Sequence, residues 1–256
     1  MKPPTHAPLV KIRSGAYKHV IFDADDTLLR YRDDERAAFF RLFSSLGVAA
    51  DDELLTFSCD ASERIWTQTG LYNVSSPHVQ KHYHFLYREH VTRVFDEIFA
   101  YLCARGISFA PVSSAKARDL FLKELETGGN LVEGAQETLA VLKSRGYILS
   151  VATNGLESIQ RGRTKALMPF FDYLFVSESL GAIKPAQAFF SRMLRELNAK
   201  KEECLFVGDS LSSDIAGAKQ AGISCCYFSP LGKTPPAGAP APDFTVRRLT
   251  DLISLL

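Results

Sequence analysis

Hydrophobic positions along the chain follow two rhythms. Short, nearly continuous apolar runs occur at Lys18 to Asp23, Tyr147 to Thr153, Tyr173 to Ser177, Cys204 to Gly208 and Ser224 to Phe228. Runs of this length that do not alternate with polar residues predict strands buried on both faces of a parallel sheet. Helical spacing fills the gaps between the last four. Gly134 to Arg145 carries Ala135, Leu139 and Leu142 at helical intervals, and Pro185 to Leu197 opens with proline, a residue suited to a first helical turn. Phe244 to Val246 adds an expected edge strand and Leu249 to Leu256 a closing helix, with a Pro- and Ala-rich loop from Thr234 to Pro242 before them.

The interval from Asp33 to Val132 breaks this alternation. It lacks strand-like runs and predicts several helices. The clearest begins at Ser76-Pro77 and carries Val79, Tyr83, Leu86, Val94 and Ile98; another starts at Ser113-Ser114 and ends at Gly128-Gly129. The expected architecture is α/β: a doubly wound, parallel-sheet, Rossmann-like core of residues 17–32 and 133–256, an α-helical cap of residues 33–132 inserted after the first strand, and a loose segment of residues 1–16. In such a core the ligand site lies beyond the carboxyl ends of the strands, where helix amino termini converge.

Composition narrows the partners. Lys and Arg number 30 against 29 Asp and Glu, a net charge of +1, which supplies no field for steering the protein onto nucleic acid or an anionic membrane. The five cysteines form no CxxC pair and their odd number argues against a disulfide framework, so reduced thiols in a soluble, cytoplasmic protein are expected. No apolar run is long enough for a signal segment or a membrane span. The expected ligand is a small molecule, and the oligomer a monomer or homodimer.

Polar residues cluster where the strands end. Asp23-Ala24-Asp25-Asp26-Thr27 closes the first, Thr153-Asn154-Gly155 the second, Lys184-Pro185 follows the third, and Gly208-Asp209-Ser210, with Asp214 five residues after Asp209, follows the fourth. Asp23 and Asp25 share a small space, and two such carboxylates call for a cation, an acid/base role, or both. Each motif alone is an ordinary turn or surface feature. Four at successive strand ends of one sheet form a specific set.

This ordered set resembles the phosphatases of the haloacid dehalogenase superfamily. The resemblance implies that Asp23 is the nucleophile that forms a phosphoaspartate, and that Asp25 protonates the leaving alkoxide and then activates water. It implies a magnesium ion held by Asp23, Asp209 and the main-chain oxygen of Asp25, with Asp214 acting behind them or through water. Thr153 and the backbone amide of Asn154 would hold phosphoryl oxygens, and Lys184 would neutralise developing charge. Asp26 is read as a turn residue and Thr27 as a brace for the loop.

Substrate selection falls to the cap. Phe22 to Leu28, with Ile65-Trp66 and Gly70, looks like the pyrimidine 5'-nucleotidase branch, although that branch carries Asn where this chain has Ser62. Trp66 is either a wall of the nucleoside pocket or an aromatic of the cap core. A broad sugar-phosphate or phosphoglycolate phosphatase and a phosphosugar mutase keep the same motifs. A metal-free dehalogenase does not need Asp25, Asp209 and Asp214, and a receiver-type phosphoacceptor lacks the helical insertion. His78 and His82 have zinc-compatible spacing but no convincing third ligand, and are read with His84 and His90 as structural.

Overall fold

The computed structural model describes residues 17–256; the segment 1–16, expected to be loose, lies outside them. Six parallel strands form one sheet in the order β3-β2-β1-β4-β5-β6. They are β1 (His19–Phe22), β2 (Ile148–Thr153), β3 (Tyr173–Val176), β4 (Cys204–Gly208), β5 (Ser224–Phe228) and the expected edge strand β6 (Phe244–Val246). The central strand β1 is flanked by β2 and β4, with His19 beside Ile148 and Cys204 and Phe22 beside Val151 and Val207. The winding direction reverses across the β1–β4 pair, which opens a crevice at their carboxyl ends.

The apolar runs are continuous because both faces of the sheet are covered. Val20 and Phe22 pack into one core with Leu149, Val151, Leu205 and Val207, while Ile21, between them, points into a second core with Ala152, Phe175 and Phe206. Every residue of β1 and β4 is buried.

Between β1 and β2 run α1 (Tyr31–Ser45), α2 (Asp52–Gln68), α3 (Pro77–Ala104) and α4 (Ser114–Glu126), followed by α5 (Ala135–Ser144) beside the sheet. The side chain of Asp51 caps α2 by accepting from Leu54 N, and that of Ser113 caps α4 by accepting from Lys116 N. Phe39, Phe43, Phe95 and Phe121 fill the shared core of these helices, which extends to Leu156 and Ile159 near the sheet. The remaining helices are α6 (Glu157–Thr164), α7 (Ser177–Leu180), α8 (Gln187–Leu197), α9 (Ala216–Ala221) and α10 (Asp251–Leu255).

The helix expected from Pro185 begins instead at Gln187. Residues 184–186 are held in a loop because the Lys184 backbone is engaged by Asn154 on both its N–H and its C=O. No helix among the described residues is long and apolar enough to cross a membrane, and all five cysteines are free.

Candidate active site

Asp23 follows β1 directly, its N–H still donating to Val207 O at 2.8 Å. The chain then turns. Leu28 and Leu29 both donate to Ala24 O at 2.9 Å, and Asp26 adopts a positive φ of 56°, a conformation that Asp tolerates better than most residues. Asp26 is more than a turn residue: its carboxylate accepts from Tyr31 N at 3.1 Å and so starts α1. Thr27 braces the loop as expected, its hydroxyl donating to Asp209 at 3.3 Å.

At the end of β4 a glycine is required. A Cβ at Gly208 would lie 2.3 Å from Asp214 Oδ2, closer than any real contact. Asp214 is anchored by Ser210 N at 3.0 Å and by the Ser213 hydroxyl at 3.2 Å. Asp23, Asp209 and Asp214 thereby converge, each offering a carboxylate oxygen within 4.8 Å of the others. Among the described residues this is the group of acidic, His and Cys side chains close enough to hold a metal; His78 and His82, with rings 5.0 Å apart, are not joined by a third ligand there.

Lys184 is buried among these acids, with its Nζ 2.5 Å from Asp23 Oδ1 and 2.7 Å from Asp214 Oδ1. Burial opposes its charge, but Asp214 and Asp23 outweigh burial and hold its pKa above the ordinary lysine value. One cation does not balance three carboxylates. Burial first, then Asp214 and Asp23, push the Asp209 carboxyl well above the usual range. Burial also raises Asp23, against the pull of Lys184. An all-oxygen, electron-rich cluster with acids strained in this way fits a hard divalent cation.

Asp25 sits apart from that cluster. Gln160 Nε2 donates to its Oδ2 at 2.9 Å, and the Arg163 guanidinium pairs with its Oδ1. The fully buried Arg163 also donates through Nε to Asp34 Oδ2 at 2.8 Å. Asp34 in turn accepts from Gly129 N, Asn130 N and Asn130 Nδ2 at 2.9, 2.9 and 2.8 Å. Burial would raise the Asp34 carboxyl, yet these donors and Arg163 hold it below its ordinary value. Thr153 is buried at the end of β2, and Asn154 beside it pairs with the Lys184 backbone.

A cavity of about 600 Å³ opens over these residues and reaches between α1, α2 and α3; it is lined by Asp23, Asp25, Thr153, Lys184 and Asp209 and also by Glu35, Ser62, Trp66, Tyr83, Tyr87 and His90. Trp66 stands where the cavity meets an aromatic cluster. It lines the cavity, and it meets Tyr83, Tyr87 and His90 edge-on, with ring centroids 6.3, 6.4 and 5.5 Å away.

The family model for haloacid dehalogenase-like hydrolases matches residues 17–222, which span the sheet through β4 and all of the inserted helices. The chain belongs to the haloacid dehalogenase-like hydrolases. Its relatives within this family include the pyrimidine 5'-nucleotidase PynA of Streptococcus pneumoniae, 30% identical over 217 residues that make up 84% of either chain. The pyrimidine 5'-nucleotidase YjjG of Escherichia coli is 30% identical over 148 residues, 57% of this chain and 65% of its own. Among solved structures, the magnesium-bound HAD-hydrolase YfnB of Bacillus subtilis shares the fold with a TM-score of 0.74 at 24% identity, covering 92% of this chain and 96% of that one.

Motif reading within this hydrolase missed Asp34, Gln160 and Arg163. None lies in a strand-end cluster. The available signal was faint: Gln160 and Arg163 stand three residues apart on the helix that follows the Thr153-Asn154-Gly155 turn, a spacing that puts both on one face.

Proposed function

We propose that the protein is a magnesium-dependent phosphomonoester hydrolase acting through a phosphoaspartate on Asp23, and that its preferred substrates are pyrimidine nucleoside 5'-monophosphates. The observation that carries the chemistry is the convergence of Asp23, Asp209, Asp214 and Lys184 at the carboxyl ends of the central strands. Residues 17–32 and 133–256 act as the catalytic core and residues 33–132 as its cap.

Asp23 attacks phosphorus, splitting one hard displacement into two easier ones. Asp25 delivers a proton to the departing oxygen and takes one from the incoming water, with Gln160 and Arg163 fixing its carboxylate. Lys184 and Thr153 face the phosphoryl oxygens, Lys184 balancing charge on the equatorial oxygens and Thr153 donating through its hydroxyl together with the Asn154 amide. Asp23, Asp209 and the backbone of Asp25, supported by Asp214, hold the Mg2+, whose charge lets an anionic phosphate approach anionic Asp23. The nucleotide preference is supported by the aromatic side chains of α2 and α3 that line the cavity and by the likeness to PynA and YjjG. The free thiols fit the reducing cytoplasm.

The test is phosphate release from nucleoside monophosphates, sugar phosphates and phosphoglycolate, with magnesium or with chelator, by the wild type and by Asp23→Asn. Magnesium-dependent release, lost in the variant and ranked with UMP and CMP first, is the expected result. A phosphosugar mutase would instead retain the phosphate on an isomerised sugar. No release from any ester, or release undiminished in Asp23→Asn, overturns the assignment.

A further inference from the structure

The part of the cavity formed by α1, α2 and α3 holds polar groups that the phosphoryl chemistry does not use. Glu35, on α1, is 5% exposed, and its Oε1 accepts from the Ser62 hydroxyl at 2.7 Å. Ser62, on α2, lies 3.4 Å from His90 Nε2 on α3. His90 is 3% exposed, and its Nδ1 has no hydrogen-bond partner among the described residues. All three line the cavity, beside Trp66, Tyr31 and Tyr87.

A carboxyl buried as Glu35 is, is costly in its charged form. Burial pushes Glu35 up to about 7, against the pull of Ser62, Arg32, Cys59 and Arg163. The cations that act on it are Arg32 and Arg163. Burial lowers His90 to about 4 and raises Cys59 and Tyr87 to about 12. The recess is lined by aromatic rings and holds a carboxyl, a hydroxyl and an imidazole within hydrogen-bonding distance of one another, and the carboxyl, when protonated, presents an O–H donor next to a C=O acceptor.

We infer that Glu35, with Ser62 and His90, reads the hydrogen-bonding edge of the leaving group's ring. The matching ligand is a flat, uncharged heterocycle whose edge carries a donor next to an acceptor, as N3–H and C4=O do in uracil and N4–H and N3 do in cytosine. Such an edge pairs with an uncharged carboxyl through two hydrogen bonds, whereas an aliphatic sugar phosphate leaves the buried carboxyl unmatched. The cost of that unmatched group, rather than contact area, discriminates between the two. The inference rests on the nucleotidase reading and assigns its specificity to these residues.

The deciding measurement is the ratio of kcat/KM for UMP to kcat/KM for ribose 5-phosphate, which has the same sugar and phosphate but no base. Wild type should favour UMP. Glu35→Leu should lower the ratio at least tenfold, and Glu35→Gln, whose amide keeps one donor and one acceptor, should bring it back to within threefold of wild type. A Glu35→Leu ratio within threefold of wild type overturns the inference, whether the two rates fall together or stay unchanged. Should Glu35→Leu fail to fold, 3-methyluridine 5'-monophosphate tests the same point on wild type, because its N3-methyl group blocks the edge while leaving the ring able to stack. A loss of tenfold or more against UMP is expected, and hydrolysis within threefold of UMP overturns the inference. A wild type that favours ribose 5-phosphate over every nucleotide refutes the nucleotidase reading itself, whereas a preference for UMP that survives in Glu35→Leu refutes only the role of Glu35.

Discussion

Asn154 and Lys184 are paired in both directions: Asn154 Nδ2 donates to Lys184 O at 3.0 Å, and Lys184 N donates to Asn154 Oδ1 at 2.8 Å. The side chain of one strand-end residue thus fixes the main chain that carries the buried ammonium, 30 residues away in sequence. Asn154→Ala removes both bonds and leaves a partly buried N–H and C=O open. A stability loss of about 1–3 kcal/mol in urea unfolding is expected, together with a fall of at least tenfold in kcat/KM from a misplaced Lys184.

Replacing the ammonium itself is a harsher change. Lys184→Met leaves Asp23 and Asp214 buried without their contact partner. The expected cost without metal is about 3–5 kcal/mol. Because the site becomes more negative, magnesium should raise the melting temperature of Lys184→Met by more than it raises that of wild type. Thermal melts with and without magnesium check both statements.

Arg163 spans Asp25 and Asp34 with one planar fork. A lysine has a single charged nitrogen and reaches only one of them well. Arg163→Lys is therefore expected to cost about 2–4 kcal/mol in urea unfolding, with a slower turnover because Asp25 loses its orienting contact.

His90 gives the fold a pH limit on the acid side. Burial holds it at about 4 in the folded protein, while an unfolded chain has it near the ordinary 6.5. Between those values the unfolded chain binds more protons, so stability is fully present above pH 6.5 and is lost as pH falls toward 4. The loss attributable to this residue is about 3 kcal/mol at most. Urea unfolding at pH 7.5 and 4.5 should show a smaller drop for His90→Gln than for wild type.

Gly208→Ala tests the metal cluster without touching a charge. The new Cβ would stand 2.3 Å from Asp214 Oδ2 and 2.5 Å from its Cγ, so the carboxylate must move. A rise of at least tenfold in the magnesium concentration that gives half-maximal activity is expected from a magnesium titration of the variant.

The sheet was legible in the sequence because β1, β2 and β4 are covered on both faces, which leaves unbroken apolar runs ending at acidic or small polar residues. Local signals also sufficed for α3 and α4, which start at Ser76-Pro77 and Ser113. The start of α8 was misplaced because proline at a first turn and proline in a loop look alike locally; what decides is Asn154, far along the chain. The same holds for the site. Residues at strand ends announce themselves by position, whereas Asp34, Gln160 and Arg163 gain their roles from contacts more than 90 residues apart, as in Arg163 to Asp34 at |i−j| of 129 and Gln160 to Asp25 at 135. Glu35 reads as one more acid on a helix surface until the packing of α2 and α3 buries it.

The chain enters and leaves the inserted helices through two segments zipped side by side. Arg30 N donates to Asn130 O at 2.7 Å, Val132 N donates to Leu28 O at 2.9 Å, and Leu29 pairs antiparallel with Leu131. Antiparallel neighbours can be rejoined by a turn of about two residues. The four helices can thus be cut out, or exchanged for those of another enzyme, at a seam that leaves every strand of the sheet uncut. Asp34 on α1 crosses that seam to hold the Arg163 that pairs with Asp25, so a grafted insert keeps the acid/base residue in place only if it carries a carboxylate at the matching position.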